Sequence, residues 1–374
     1  MVPGGLAFDR FITIWLENQD FAKVIKDSYI ADLKREGILQ TKYYAQTHPS
    51  QPNYIAAISG DYFGLNHDEP VHLPSNVSTV VDLLDTKSLS FGGYFEDLPS
   101  PGYMGVASDG RSDKGSGKWD YVRKHNPFVT FDSITHNGTR LWFLGSFDDF
   151  TTDLAASEVP QFVFMSPNMN NDGHNTTLEY ASSWAHTFLK PLLANDSSIF
   201  GSGKTLIQLT YDESEDYNRP NKIASLLLGN AVPASLKGTQ DDTFYTHYSI
   251  LSSVEHNWGL PNLGRYDVGA NVWKFLADAS GYANNGDPDT LGGIDSSVSY
   301  PGYLNRDKAK YMPIPPPNLK LVGAGGQGVL GKVINMWRET ENDLSPYDGV
   351  GEPFDGGKWL PEYVPQMSNV AAEI

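Results

Sequence analysis

Cysteine is absent from this 374-residue chain, which excludes disulfides, thiolate nucleophiles and thiolate metal sites. No apolar run approaches the roughly 20 residues that a membrane-spanning helix needs. Positive charge is also scarce: 27 Lys and Arg stand against 45 Asp and Glu, a formal net charge of −18. Phosphate backbones and anionic membranes would be repelled, so nucleic acid is not expected as the main partner. The opening Met1-Val2-Pro3-Gly4-Gly5 carries no leader pattern, as in a mature or trimmed form. No internal repeat is found, and the length suffices for a large core in one or two domains.

What is present alternates strand-like runs with helix-like ones. Phe11 to Leu16 is a β-rich apolar run ending in Glu17-Asn18, and Thr205 to Tyr211 is a second ending in Asp212-Glu213. Further strands are expected at Gln161 to Met165 and Ile223 to Leu228. Helices are expected at Phe21 to Leu33, Val77 to Asp85 and Leu178 to Leu193. This rhythm predicts an α/β fold, a three-layer α/β/α sandwich around a mostly parallel sheet. Ligands bind such sheets at the carboxyl ends of the strands. Carboxylates and an amide gathered there are hard oxygen donors suited to one divalent cation, calcium ahead of magnesium. The plainer reading of each pair is solvated turn chemistry after a strand.

Between these runs lies His48-Pro49-Ser50-Gln51-Pro52-Asn53-Tyr54, followed by a short apolar helix. Proline suits a first helical turn, so Ser50 falls at the positive end of a helix dipole, where a phosphate or an alkoxide is favoured. Serine is also a common helix N-cap, and on these residues alone that reading stays open. Gly201-Ser202-Gly203-Lys204-Thr205 imitates the end of a phosphate-binding loop. It has Ser198 where that loop needs glycine, and it leads into a strand rather than out of one.

Taken in order, Glu17-Asn18, Ser50-Gln51-Pro52-Asn53, Phe164 to Asn168 with Asn171-Asp172-Gly173-His174, Tyr211-Asp212-Glu213 and Thr246 to Ser249 resemble a known family. It unites secreted acid phosphatases with phospholipase C-type enzymes within the alkaline-phosphatase-like group. The resemblance spans about residues 9 to 275, and Tyr121 to Phe128 brings it nearest to the fungal acid phosphatases. It implies Ser50 as a nucleophile that takes a phosphoryl group, and Asn53 as holder of a phosphate oxygen. Glu17, Asn18, Asp212 and Glu213 are the implied metal ligands. His174 and His247 are implied to bind phosphate or protonate the leaving oxygen, with His125 as a further phosphate ligand. The implied function is a metal-dependent phosphomonoesterase acting on small phosphate esters. A phospholipase C-type phosphodiesterase is the alternative, and a secreted non-catalytic binding or wall protein is one of another class.

Nine histidines are present, and His48, His67, His72, His136, His186 and His256 are read as structural or surface residues. His247 is expected early in a helix running from Thr243 to Glu255, capped by Asp242. There it shares a face with Ile250, Leu251 and Val254, which suits a core histidine as well as a catalytic one. Four N-glycosylation sequons begin at Asn76, Asn137, Asn175 and Asn195. With the resemblance they point to an extracellular or cell-wall enzyme, whereas the missing cysteine weighs against secretion. The catalytic domain is expected over residues 1–280, with a loop at about 100–120 over the site. A Gly- and Pro-rich segment, 281–374, is expected to pack on it as an extended tail.

Overall fold

A computed structural model of the chain describes residues 4–107, 120–194, 197–200, 203–217, 220–286, 299–340 and 344–350. Among the described residues the strands are β1 (Arg10–Leu16), β2 (Ile38–Tyr44), β3 (Phe91–Phe95), β4 (Val106–Ala107), β5 (Tyr121–Val122), β6 (Leu144–Gly145), β7 (Phe162–Ser166), β8 (Thr205–Tyr211), β9 (Lys222–Leu228) and β10 (Thr239–Thr246). Eight of them form one sheet in the order β10-β2-β9-β8-β1-β7-β3-β6, while β4 and β5 pair separately. Only β9 runs against its neighbours β2 and β8; the other sheet pairs are parallel. The carboxyl ends of seven strands therefore share one edge, as the α/β/α expectation requires.

β1 and β8 are buried along their whole length, as central strands covered on both faces are. Their register, Leu16 opposite Tyr211, brings Glu17 level with Asp212. A buried polar chain crosses the sheet and pins that register. Trp15 Nε1 donates to Thr13, Thr13 to Gln208, Gln208 to Ser225, and Ser225 to Gln40, at 2.7–3.1 Å. Trp15 of β1 packs on the helix Ser50–Ser59, its ring 4.8 Å from that of Tyr54.

The expected helix Phe21 to Leu33 is broken into Phe21–Val24 and Ser28–Leu33, because the Asp27 carboxylate accepts the amides of Tyr29 and Ile30 and starts a new helix. The expected helix from Val77 begins at Val80 behind a capping box of Thr79 and Asp82. A larger correction concerns Thr243 to Thr246, expected as helix. These residues are the end of β10, where Phe244 to Thr246 pair with Lys42 to Tyr44, in keeping with their β-branched and aromatic side chains. The helix that follows is Tyr248–Trp258, so His247 is its N-cap residue.

Residues 299–340 and 344–350 pack on the α/β body. Leu304 N–H donates to Phe63 O at 2.9 Å and Leu330 N–H to Asn262 O at 2.8 Å. Gly302 is required at this seam: a Cβ there would lie 2.3 Å from Phe63 O. The hydroxyls of Tyr300 and Tyr347 both donate to the buried Asp61 carboxylate. Residues 287–298 and 351–374 of the expected tail, and 108–119 of the expected loop, lie outside the described residues. Among the described residues no helix is long and apolar enough to cross a membrane.

Glu255, on the helix Tyr248–Trp258, is fully buried beside Asp267. Asp267 accepts the backbone amides of Leu263 and Arg265. Burial first, and the Asp267 charge second, raise Glu255 well above its ordinary value of 4.5. A raised carboxyl pKa contributes fully to stability below the unfolded value and loses that contribution as pH rises. Glu255→Gln is therefore expected to shrink the fall in melting temperature between about pH 5 and about pH 8. Equal slopes for the two proteins would contradict this account.

Candidate active site

Three strand ends are stitched together by their own backbone. Asp212 N–H donates to Leu16 O at 3.0 Å, Glu17 N–H to Asp172 O at 3.0 Å, and Gln19 N–H to Glu213 O at 3.2 Å. The result is that Glu17, Asp172, Asp212 and Glu213, from the ends of β1, β7 and β8, all lie buried in one place. Ser50 reaches them from the first turn of its helix. Its Oγ lies 3.4 Å from Glu17 Oε2 and 3.3 Å from Glu213 Oε1.

The expected phosphate holder Asn53 does not point at that space. It is fully buried and uses its whole amide on the loop before Ser50: Oδ1 accepts the amides of Gln46 and Thr47, and Nδ2 donates to Thr47 O and Pro49 O. Asn53 thus fixes the backbone that presents Ser50. His247 differs from expectation in the same way. It is fully buried, its ring stacks on Trp15 at 4.4 Å, and its Nε2 donates to the backbone carbonyl of Asp212 at 2.8 Å. Burial lowers its pKa to about 3, so the ring is neutral and supports the β8 end from beneath.

The loop after β7 divides two neighbours. Gly173, at φ 101°, adopts a conformation that favours glycine. Asp172 on one side is buried, and His174 on the other is exposed. Asp172 Oδ1 accepts the amide of His174 at 2.8 Å, while Oδ2 faces His125 Nδ1 at 3.4 Å. The exposed His174 is still close enough for Glu17, Lys124 and His125 to act on it, and partial desolvation lowers its pKa.

His125, expected as a phosphate ligand, lies between Glu17 and Asp172, with its ring stacked on Tyr54 at 5.1 Å. Its Nε2 forms an ion pair with Glu17 Oε1 at 2.7 Å. Besides Asp172, three further residues not expected in the site complete it. Lys124 Nζ lies 3.5 Å from Ser50 Oγ and 3.0 Å from Asp68 Oδ2. Asp68 Oδ1 accepts the Gln51 amide at 3.0 Å, and the buried His48 binds Glu213 through Nδ1. Local signals existed: Lys124 precedes His125 in the segment nearest to the fungal enzymes, and His48 lies two residues before Ser50.

The carboxylates cannot all be charged together without a partner. Burial would raise Glu17, but His125 and Lys124 outweigh it and hold Glu17 below the ordinary carboxylate range. Burial pushes Asp172 up to about 6, and burial together with the Glu17 charge raises Asp212 and Glu213 well above their ordinary values. Burial also opposes the charges on His125 and Lys124, but Glu17 and the neighbouring carboxylates raise both. Asp172 Oδ2 and Asp212 Oδ2 are buried without a hydrogen-bond partner. One ligand atom each from Glu17, His125 and Asp172 lies within 4.8 Å of the other two. Oxygen-rich, anionic and partly unpaired, this pocket fits a divalent cation. Asn18 is half-buried at its edge, next to Glu17.

The phosphoesterase family profile matches residues 15–261. An acid phosphatase of Aspergillus fumigatus is 45% identical over 92% of this chain and 76% of its own length. A phosphate-repressible acid phosphatase of Penicillium chrysogenum is 48% identical over 81% of this chain and 71% of its own. A phosphatidylinositol-3-phosphatase of Mycobacterium tuberculosis is 30% identical over 69% and 79%. A solved protein of the alkaline phosphatase superfamily from Vibrio parahaemolyticus is similar over 66% of this chain and 65% of its own, at a TM-score of 0.40 and 13% identity. The chain belongs to the phosphoesterase family and is an acid-phosphatase-like phosphoric ester hydrolase.

Proposed function

We propose that the chain is a metal-dependent phosphomonoesterase that works through a phosphoserine at Ser50. The observation that carries this reading is the place of the Ser50 hydroxyl, 3.3–3.5 Å from Glu17, Glu213 and Lys124 at the start of a buried helix. A divalent cation, calcium ahead of magnesium, would be held by Glu17, Asn18, Asp212 and Glu213, with Asp172 and His125 adjoining. Bound there, it supplies positive charge that lowers the serine's pKa and offsets the phosphate.

In the first half-reaction, Ser50 Oγ forms a bond to phosphorus as the bond to the leaving oxygen breaks. The hydroxyl proton moves to one of the two carboxylates it faces, Glu17 or Glu213. The leaving oxygen takes a proton from the rim, where His174 stands. Water then attacks phosphorus, Oγ departs with a proton, and inorganic phosphate is released. His125, held by Glu17 and Asp172, is read as bracing these carboxylates rather than as a direct phosphate ligand. Asn53 and His247 act by position: they hold the Ser50 loop and the Asp212 backbone. The substrate is a small phosphate ester, and nucleic acid is not the expected partner of so acidic a chain. We place the enzyme outside the cell or in the wall, a reading supported by sequon asparagines that are exposed at positions 76 and 137.

Ser50→Ala should lose nearly all turnover with an unchanged melting temperature, and acid-quenched wild-type enzyme should carry phosphate on the Ser50 peptide by mass spectrometry. Near-normal turnover in the variant would end the proposal. For His247, replacement by Phe should lower the melting temperature, because a buried bond to the Asp212 carbonyl is lost. The shape of its pH–rate profile should stay that of the wild type. Loss of one limb of the profile would instead place His247 in the proton transfers.

A further inference from the structure

We propose that Lys124, clipped in place by Asp68, is the residue that selects phosphomonoesters over phosphodiesters. The inference rests on the reading of Ser50 as nucleophile and goes beyond it to the charge of the substrate.

Lys124 precedes His125 in a short turn, and its side chain is 15% exposed. That is open enough to meet a ligand and closed enough to limit screening by water. Its Nζ lies 3.5 Å from Ser50 Oγ and 3.0 Å from Asp68. The other Asp68 oxygen accepts the Gln51 amide, in the first turn of the nucleophile's helix. One carboxylate therefore fixes the ammonium and the nucleophile to each other. Among the described residues no other lysine or arginine bonds Ser50. Arg123, one residue away, is buried and donates to the carbonyls of Val71 and Val129. His125 is enclosed between Glu17 and Asp172.

A phosphate monoester carries a charge of about −1.5 to −2 near neutral pH, with a second pKa of about 6. A diester carries one negative charge, because the oxygen that would bear the second is esterified. The divalent cation would offset part of this charge, but the monoester's extra charge still enters a pocket walled by Glu17, Asp172, Asp212 and Glu213, where Lys124 is the further cation that meets it beside Ser50. Lys124 stands beside the attacking oxygen, where it would pair with a phosphoryl oxygen that a diester replaces by an alkoxy group. Its loss should penalise the monoester far more than the diester, since only the monoester brings the second negative charge that Lys124 offsets.

The test compares kcat/KM for an aryl phosphate monoester and a bis(aryl) phosphate diester in the metal-supplied full-length enzyme. Lys124→Met should lower the monoester value about 10²-fold, the scale for losing one fixed electrostatic partner. The diester value should fall by about tenfold less, so that the monoester-to-diester ratio collapses. Lys124→Arg should restore part of the ratio. Inhibition by inorganic phosphate should weaken in Lys124→Met, while inhibition by dimethyl phosphate should change little. Should Lys124→Met fail to fold, Asp68→Asn carries the test, with a smaller loss in the same direction. Equal losses on the two substrates, or an unchanged ratio, would overturn the inference. Failure of the Ser50 reading is seen separately, as turnover of both substrates by Ser50→Ala.

Discussion

Like charges brought together away from water are the constraint on which the rest of this structure depends. The parallel strands deliver Glu17, Asp172, Asp212 and Glu213 to one edge, and backbone bonds between the strand ends leave them no room to separate. Without a counter-charge, such a cluster keeps protons, as the raised values of Asp172, Asp212 and Glu213 express. Lys124 and His125 offset part of the charge, and both are themselves raised by it. A site with this imbalance favours divalent cations and the chemistry they support. It also needs a positive group where the substrate's own charge must enter.

Much of the surrounding structure serves to hold that strained arrangement still. Asn53 braces the turn before Ser50 with four hydrogen bonds, and His247 supports the Asp212 carbonyl while Trp15 covers its ring. Leaving such buried polar groups unpaired costs about 1–3 kcal/mol each, so these contacts fix geometry as well as stability. Residues of this kind resemble catalytic ones in a sequence, because both are polar and lie beside Ser50. What separates them is where their polar atoms are directed. Asn53 and His247 direct theirs to backbone, whereas Ser50 and Lys124 direct theirs to the space between the carboxylates.

The local part of the site was legible in the sequence. Glu17, Asp212 and Glu213 each follow a strand-like run directly, and Ser50 precedes a helix marked by proline, so short-range pattern sufficed. The rest depended on long-range geometry. Whether Asp172 or His174 turns inward is decided by the Gly173 conformation, and Lys124 and Asp68 meet across 56 positions of sequence. The fold class followed from the alternation of runs, but the reversed direction of β9 did not, since a buried strand reads alike both ways. Thr243 to Thr246 was misread as helix because the apolar spacing of the true helix, from Tyr248, was extended backwards through residues whose β-branched and aromatic side chains favour a strand.

The central claim is that a bound cation relieves the buried charge at the strand ends. Its most direct test is calorimetric titration of chelator-treated enzyme with calcium, with melting temperature measured on the same samples. The account predicts one saturable site per chain, a rise in melting temperature on filling it, and loss of both effects in Glu17→Gln combined with Asp212→Asn. No binding heat for calcium, magnesium or other divalent ions, an unchanged melting temperature and full phosphatase activity in the chelated protein would contradict it.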